Sequence, residues 1–332
     1  MLPMAVFYTM VANLAAFILR PLNLFPQPTP LPLQTSLDMK IAIVTGSNTG
    51  IGLETARALV DSGWQVILAC RSSDKALEAA KGINGMGQAL VVGTLDLSSF
   101  PSIKEFAKII RGRYSKVNVL INNAGRNTSG PSENGLDLCF STNFLGHFLL
   151  VHELLDVLEG GRIINVSSVM HHFCNKPEES VEYWKRVATY GKEPDNTYAA
   201  SKLAALLFTL ELNRRYSDSR NIRSMTVNPG AVNSDIWRGY PQWIRFIFGL
   251  FYLDSRQGCS TSVAAALCSF DSTVEYLQPY WLPSSFPMYE MMGPFIGYRP
   301  TKPRLPYDGG SKSAQCLWRA SEELTTCVFP KR

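Results

Sequence analysis

The sequence predicts a single-domain, doubly wound α/β fold built on a parallel sheet, and three observations support that prediction. Six short apolar runs recur between residues 41 and 227, stretches of helical length separate them, and a glycine-rich segment directly follows the first run. Strands that are almost uninterruptedly apolar are buried on both faces, as in parallel sheets. Helices that alternate with such strands cover the two faces of the sheet.

Strands and helices alternate along the chain in a fixed order. The predicted strands are Ile41–Thr45, Gln65–Cys70, Ala89–Val92, Val117–Ile121, Arg162–Val166 and Ile222–Val227. The predicted helices cover residues 52–62, 99–115, 136–158 and 198–217, and an amphipathic helix over 311–325 lies near the end of the chain. No internal repeat interrupts this order.

The N-terminal region precedes the predicted domain, which spans residues 38–332. Leu2 to Leu19 carry no charge, and eighteen helical residues reach about 27 Å, close to the hydrocarbon thickness of a bilayer. Residues 1–20 are therefore predicted to be a membrane anchor, with a peripheral helix or a cleaved secretory signal as alternatives. Residues 21–37 contain five prolines and are predicted to be an extended linker.

Composition excludes several classes of function. The 32 lysines and arginines against 27 acidic residues leave a net charge of only +5, and no basic cluster suits a nucleic-acid backbone. Seven dispersed cysteines without a CxxC pair indicate neither a zinc site nor a disulfide framework. The four histidines also lack ligand partners at metal-binding spacing, so no metal is expected.

A glycine-rich turn after the first predicted strand is the first candidate binding site. Gly46, Gly50 and Gly52 fall between that strand and the next helix. Small residues there let the backbone approach a pyrophosphate, and the amides at the helix N-terminus point at it. The candidate dinucleotide-binding residues of this turn are Gly46, Ser47, Asn48, Gly50, Ile51 and Gly52. The alternative is a tight turn that binds no ligand.

The end of the second strand indicates which dinucleotide is preferred. An acidic residue at this place usually holds the adenosine ribose hydroxyls of NAD. The sequence has Cys70-Arg71 instead, and a guanidinium suits the 2′-phosphate of NADP. We therefore expect a preference for NADP(H) over NAD(H). The alternative is that Arg71 is an ordinary solvated loop arginine.

The remaining motifs, in order, resemble those of the short-chain dehydrogenase/reductase family. They are Asp96-Leu97, Asn122-Asn123-Ala124-Gly125, Asn143, Ser168, Tyr198-Ala-Ala-Ser-Lys202 and Pro229-Gly230 with Val232. The resemblance covers roughly residues 40–235 and implies a Rossmann fold. It also implies that Asp96, Leu97, Asn123, Ala124, Gly125, Pro229, Gly230 and Val232 bind the dinucleotide together with Tyr198, Lys202 and the glycine-rich turn.

Tyr198 and Lys202 lie four residues apart, so on a helix they share one face. A phenol is a poor base at neutral pH, and a neighbouring ammonium lowers its pKa. Tyr198 is therefore the predicted proton donor or acceptor. The resemblance implies that Lys202 also holds the nicotinamide ribose, that Ser168 binds the substrate oxygen, and that Asn143 supports a water-linked proton path. Strand alternation points the neighbouring Ser167 to the other face.

Two features depart from the common family pattern. The interval from Ser168 to Tyr198 is 30 residues, which is long for the family, and His171-His172 replace a usual glycine. Residues 169–197 are therefore expected to contain an inserted polar loop or short helix beside the site. This insertion, Ala69-Cys70-Arg71, Asn143-Phe-Leu-Gly-His147-Phe and Leu317-Trp318 together resemble the retinol-dehydrogenase-like branch.

The region after Pro229-Gly230 is expected to form the substrate lid, over about residues 233–257. Its segment 243–253 is rich in aromatic residues and carries one charge, Arg245. It is too short to span a bilayer, so it is interpreted as an apolar pocket wall or an interfacial helix. The alternative is an ordinary buried or dimer-facing helix. The C-terminal extension, over about residues 280–332, covers either the pocket or a subunit contact.

The sequence thus predicts an NADP(H)-dependent oxidoreductase of a lipophilic carbonyl/alcohol pair, such as a retinoid, steroid or polyprenoid. Alternatives are a C=C reductase and a non-catalytic dinucleotide sensor or scaffold. Arg20 at the C-terminal flank of the anchor indicates that the catalytic domain faces the cytosol. A membrane-associated enzyme at the endoplasmic reticulum or a lipid droplet is expected. The resemblance also suggests a homodimer.

Overall fold

The computed structural model describes residues 39–175, 177–192, 197–237, 239, 241–243, 246, 252–271, 273–279, 298–301, 305 and 310–330. The anchor and linker predicted over residues 1–37 lie outside this part of the chain. Within it, no helix combines the length and the apolar character needed to cross a membrane.

Within the described residues, eight strands form one sheet in the order β3-β2-β1-β4-β5-β6-β7-β8. They are β1 Ile41–Thr45, β2 Gln65–Ala69, β3 Gln88–Leu90, β4 Val119–Asn122, β5 Arg162–Val166, β6 Arg223–Val227, β7 Tyr276–Gln278 and β8 Arg299–Thr301. Neighbours from β3 to β7 pair in parallel, whereas β8 pairs antiparallel with β7. The predicted doubly wound parallel sheet is therefore confirmed, with two added short strands.

Helices cover both faces of the sheet. They are α1 Gly50–Asp61, α2 Ser73–Lys81, α3 Phe100–Arg113, α4 Leu138–Phe140, α5 Gly146–Leu154, α6 Val181–Ala188, α7 Thr197–Tyr216, α8 Ser255–Gly258, α9 Ser260–Leu267 and α10 Gly310–Thr325. A π-helical turn, Ser141–Leu145, joins α4 to α5, and 3-10 turns cover Val169–Phe173 and Asp235–Trp237.

Two apolar cores sandwich the sheet. One lies beneath α1, α2 and α9 and contains Leu59 and Val44. The other lies beneath α3, α5, α7 and α10 and contains Phe148, Leu203 and Trp318. Strand residues such as Ile43 and Val44 alternate between the two cores, which explains why the strands are apolar throughout.

The insertion after Ser168 contains a packed helix, α6, as well as polar residues. Trp184 of α6 is fully buried, and α6 packs against the C-terminal helix α10. Lys185 forms an ion pair with Glu323 of α10. The expected polar insertion therefore has an apolar inner face, formed by the buried Tyr183 and Trp184 of α6.

The C-terminal helix α10 packs against α7 as well as α6. Its Trp318 joins an aromatic cluster whose other members are Phe148, Phe208 and Phe329, with ring centroids 4.5–5.7 Å from that of Trp318. The hydroxyl of Tyr216 donates to the carbonyl oxygen of Pro330, which fixes the segment after α10. This part of the extension therefore completes the core on the α7 side of the sheet.

Candidate active site

The predicted dinucleotide-binding residues lie together at the carboxyl ends of the parallel strands. They follow β1 (Gly46 to Gly52), β2 (Arg71), β4 (Asn123 to Gly125) and β6 (Pro229 to Val232), and Asp96 and Leu97 precede α3. The strand order reverses direction between β1 and β4, and ligands of open α/β sheets bind at such a switch point.

The turn after β1 requires its glycines. Gly46 and Gly50 have φ values of +64° and +60°, a region that other residues rarely adopt. A Cβ at Gly46 would lie 2.9 Å from Ala124 Cα, and one at Gly52 would lie 2.5 Å from the carbonyl oxygen of Gly46. The first turn of α1 has no acidic residue, and no side chain caps it. The turn therefore has the close packing and open amides that suit a pyrophosphate.

The turns after β1 and β4 are clamped to each other by Thr45. Its Oγ1 accepts hydrogen bonds from the amides of Asn123 and Ala124, both at 2.9 Å. The side-chain amide of Asn123 donates to the carbonyl of Thr45 at 2.8 Å. These bonds make the two turns one rigid wall of the crevice.

Arg71 and Asp96 lie at the far end of the crevice. Arg71 is exposed, and no hydrogen bond or ion pair of its side chain occurs within the described part of the chain. The Asp96 carboxylate accepts hydrogen bonds from the amide and the hydroxyl of Ser98, at 2.9 and 2.6 Å. Leu97 is buried. The arginine is therefore available to an anionic ligand, while the carboxylate is held by its own loop.

The segment after β6 turns back over the glycine-rich turn. Gly230 has a φ of +83°, and Val232 forms a parallel bridge with Leu253. Ser234 lies close to Gly50: a Cβ built at Gly50 would be 3.7 Å from Ser234 Cβ. The lid predicted from residue 233 onward thus begins beside the phosphate-binding turn.

Ser168, Tyr198 and Lys202 come together where β5 ends and α7 begins. The hydroxyl of Ser168 lies close enough to the phenol of Tyr198 to oppose, in part, the rise that burial causes in the pKa of Tyr198. Lys202 Nζ donates to the carbonyl of Val166 at 2.9 Å and lies 5.7 Å from the ring centroid of Tyr198. Ser168 is partly exposed, whereas Ser167 is buried on the other side. This arrangement places two hydroxyl groups and an ammonium at one end of the crevice.

Burial dominates the titration of the pair. It lowers the pKa of Lys202 to about 8 and raises the pKa of Tyr198 above its ordinary value. The four-residue spacing of Tyr198 and Lys202 predicts the opposite, a lowered pKa of Tyr198. That argument includes the neighbouring ammonium but not the removal of the phenol from solvent. At neutral pH Tyr198 is thus a protonated phenol, which suits a proton donor.

Asn143 lies in the π-helical turn between α4 and α5. Its Nδ2 donates to the carbonyl of Arg126 at 2.9 Å and to Ser201 Oγ at 3.0 Å, and its Oδ1 accepts from the amide of Arg126 at 2.8 Å. A Cβ at Gly125 would lie 3.4 Å from Asn143 Oδ1 and 3.6 Å from Lys202 Nζ. Asn143 and Lys202 thus flank Gly125, and π-helical turns are frequent at functional sites.

Comparisons with known proteins identify the family. A family model described as short chain dehydrogenase matches residues 40–178. Human "Retinol dehydrogenase 11" is 38% identical over 237 residues, which cover 69% of this chain and 73% of that protein. The chain belongs to the short-chain dehydrogenase family. Human "Retinol dehydrogenase 12", 33% identical over 294 residues and 86% of each chain, supports the retinol-dehydrogenase-like branch.

A solved structure shares the same fold over most of its length. An uncharacterised protein from Mycobacterium paratuberculosis is 30% identical, with a TM-score of 0.67. The match covers 90% of this chain and 97% of the other. This short-chain dehydrogenase is accordingly a dinucleotide-dependent oxidoreductase. The glycine cradle fits a nicotinamide dinucleotide, which Gly46, Gly50 and Gly52 would hold through its pyrophosphate.

Sequence reasoning missed four residues that support the site of this dehydrogenase. Thr45 clamps the two turns, Ser201 accepts from Asn143, and Cys139 Sγ lies 3.4 Å from Asn143 Nδ2. The fourth, His147, is buried between Thr45 and Asn143. Only His147 carries a usable signal, because it lies one helical turn after Asn143 and its neighbours in the sequence are apolar.

Proposed function

We propose that this protein is an NADP(H)-dependent oxidoreductase that interconverts a lipophilic carbonyl compound and its alcohol. The observation that carries the proposal is that the hydroxyl groups of Ser168 and Tyr198 lie close together beside Lys202, at the same edge of the sheet as the glycine cradle. Two hydroxyl groups and a neighbouring ammonium suit the binding and protonation of one substrate oxygen.

Each catalytic side chain has a distinct role in this proposal. Ser168 orients the substrate oxygen by a hydrogen bond, and Tyr198 donates its proton to that oxygen in the reducing direction. Lys202, whose pKa is about 8, is able to return a proton to Tyr198 near neutral pH. Asn143 supports the water path that supplies Lys202. The dinucleotide, when bound, supplies the hydride in reduction and accepts it in oxidation.

The preference for NADP(H) depends on Arg71. Its exposed guanidinium follows β2, where the adenosine ribose is usually read, and no acidic residue is present there to repel a phosphate. We assign Gly46, Ser47, Asn48, Gly50, Ile51 and Gly52 to the pyrophosphate, and Asp96 and Leu97 to the adenine end. Asn123, Ala124, Gly125, Pro229, Gly230 and Val232 line the remainder of the dinucleotide site.

The lid supports a lipophilic substrate. Trp243 and Phe246 are 67% and 69% exposed, so these two side chains are not part of a buried core helix. Exposed aromatic residues in the predicted lid segment suit an apolar substrate or the surface of a membrane. We place the enzyme on a cytosol-facing membrane, at the endoplasmic reticulum or a lipid droplet. The anchor over residues 1–20 and a homodimer belong to the same proposal.

The decisive experiment measures NADPH oxidation by the full-length chain in detergent micelles. The panel contains retinal, steroid ketones, long-chain aldehydes and polyprenals, and Tyr198→Phe is assayed in parallel. Turnover that the variant loses supports a carbonyl reductase and identifies its substrate class. Tight NADPH binding without turnover of any panel member counts against the proposal and favours C=C reduction or a non-catalytic sensor.

A further inference from the structure

Hydrogen bonds cross the core from the dinucleotide-binding turns to Asn143, and His147 is the middle member of the chain. The imidazole is buried, with 3% of its surface exposed. Its Nε2 lies 2.9 Å from Thr45 Oγ1, and its Nδ1 lies 3.0 Å from the backbone carbonyl oxygen of Asn143. Both ring nitrogens therefore have partners, one at the end of β1 and one in the π-helical turn.

Donor and acceptor rules fix the protons along this chain. The carbonyl of Asn143 only accepts, so Nδ1 of His147 carries the proton. Burial lowers the pKa of His147 to about 4, so the neutral ring accepts at Nε2. Thr45 then donates its hydroxyl hydrogen to Nε2 while its oxygen accepts from the amides of Asn123 and Ala124. The alternative acceptor for that hydrogen is the carbonyl of Ile121, which is farther away at 3.3 Å.

The helix backbone departs from α-helical hydrogen bonding next to Asn143. The amide of Gly146 bonds to the carbonyl of Ser141, five residues back, as in a π-helix. The side chain of Asn143 is engaged by Arg126 and Ser201. The donor of His147 reaches its carbonyl from one helical turn farther along, so that both the side chain and the backbone oxygen of Asn143 are held.

We propose that His147 is a positioning residue that couples the two dinucleotide-binding turns to the backbone carbonyl of Asn143. Its Nε2 orders Thr45 and thereby the turns after β1 and β4, and its Nδ1–H holds the backbone carbonyl of Asn143. The inference deepens the proposed function and rests on it. Binding of NADPH and the geometry for proton transfer then both depend on the buried imidazole of His147.

Variants that restore one half of the imidazole at a time test this coupling in the full-length protein. His147→Leu removes both hydrogen bonds, and we expect about a threefold to tenfold rise in the Kd for NADPH and a similar fall in kcat. His147→Asn restores a donor near Nδ1, so kcat should recover. His147→Gln restores an acceptor near Nε2, so the Kd should recover. Thr209→Val removes buried hydrogen bonds remote from the crevice and should change neither.

The inference requires that His147→Asn restores kcat and that His147→Gln restores the Kd for NADPH. If His147→Leu keeps the wild-type Kd and kcat, or if Asn and Gln restore both quantities equally, the coupling is refuted. The Kd comes from quenching of tryptophan fluorescence by NADPH and needs no substrate. A wild-type protein that turns over no panel member would therefore count against the proposed function, while the Kd series would still test the role of His147.

A spectroscopic measurement covers the case in which the variants fail to fold. The chain has only four histidines, so nitrogen-15 spectra of the wild-type imidazoles are tractable. His171 Nδ1 also faces a carbonyl oxygen, that of Ser168 at 2.7 Å, so the spectra are compared with those of His171→Gln. In that variant we expect one ring to remain neutral, with its proton on Nδ1, throughout the range from pH 8 to pH 5. If no ring of the variant keeps its proton on Nδ1, or if its three rings all titrate near the ordinary histidine pKa, the assignment is overturned.

Discussion

The hydroxyl of Ser167 donates a 2.7 Å hydrogen bond to the backbone carbonyl of Lys202. This bond ties the end of β5 to the first turns of α7, which carry Tyr198 and Lys202. Ser168, the next residue, is partly exposed and lies close to Tyr198. Two adjacent serines therefore serve different purposes: Ser167 fixes the scaffold, and Ser168 is placed to contact substrate.

The two serines provide a matched pair of variants. Ser168→Ala should lower kcat by about 10² or more with little change in the unfolding midpoint, because it removes a hydrogen bond to the reacting oxygen. Ser167→Ala should reduce the free energy of unfolding by about 0.5 to 1.5 kcal/mol and retain turnover, because it removes one buried hydrogen bond from the scaffold. Steady-state kinetics and thermal melts of both variants check the assignment, and the reverse pattern would refute it.

The buried ammonium of Lys202 predicts how stability depends on pH. Its folded pKa, about 8, lies below the unfolded value, so folding is opposed by burial of the charge at pH values below 8. Between pH 8 and the unfolded pKa the native lysine loses its proton while the unfolded one keeps it, and this penalty is progressively relieved. Lys202→Met should therefore gain most over wild type near pH 7, by up to about 3 kcal/mol.

Denaturant melts of the NADPH-free protein at pH 7 and pH 9.5 measure this effect. The stability difference between Lys202→Met and wild type should shrink at the higher pH. A difference that is the same at both values would mean that Lys202 titrates as an ordinary exposed lysine. Comparing the two proteins at each pH cancels the titration of the other groups.

Gly52→Ala tests the contact between the two turns. A Cβ at this position would lie 2.4 Å from Asn123 Nδ2 and 2.5 Å from the carbonyl oxygen of Gly46, so the turns must separate. We expect a stability loss of about 1 to 3 kcal/mol together with weaker NADPH binding.

Gly112→Ala is the control for that variant. Gly112 lies at the exposed end of α3, and a Cβ there meets nothing within 4 Å. It should gain up to about 1 kcal/mol and leave NADPH affinity unchanged, because alanine favours a helix more than glycine does. Calorimetry and fluorescence titration distinguish the two variants. If Gly52→Ala and Gly112→Ala bind NADPH with equal affinity, Gly52 is not part of the dinucleotide site.

Much of this architecture can be read from the sequence, and the exceptions have physical reasons. The runs Ile41–Thr45 and Arg162–Val166 are strands with the predicted bounds, because buried parallel strands are almost continuously apolar. β7 and β8 were not predicted, since each has three residues and β8 contains Pro300. A strand this short shows no periodicity, and β8 is antiparallel, unlike the strands of the predicted parallel sheet.

The site was predictable to the extent that it follows the ends of strands. Gly46, Ser168 and Tyr198 could be located because a strand end or a helical spacing marks each one. The hydrogen bond between Thr45 and His147 joins residues that are 102 positions apart in the sequence. It also depends on the π-helical turn, which no local sequence pattern marks. Burial of Lys202 likewise follows from the packing of α7, so the direction of the Tyr198 pKa shift could not be obtained from spacing alone.

Arg71→Asp tests the cofactor preference. A carboxylate at this exposed position would repel a 2′-phosphate and suit free ribose hydroxyls, so the ratio of NADPH to NADH affinity should fall by about tenfold or more. Arg113→Asp, at the exposed C-terminal end of α3, changes the net charge equally and should leave the ratio unaltered. Fluorescence titrations with both dinucleotides measure it. An unchanged ratio in Arg71→Asp would show that this guanidinium does not select the cofactor.

The lid is tested by introducing charge at its exposed aromatic residues. Trp243 and Phe246 are three residues apart, and burying either side chain in lipid or against an apolar substrate contributes about 1.5 to 3 kcal/mol. Trp243→Asp combined with Phe246→Asp should therefore weaken binding to lipid vesicles and raise KM for long-chain aldehydes more than for short ones. Met86→Asp is the control, because Met86 is 69% exposed and lies far from the crevice. Its neighbour Gly87 donates its amide to the carbonyl of Val60, at the end of α1 that is remote from the crevice. Vesicle flotation measures membrane binding, and KM values for aldehydes of increasing chain length measure the substrate effect. If the double variant equals Met86→Asp in both measurements, this segment contacts neither substrate nor membrane.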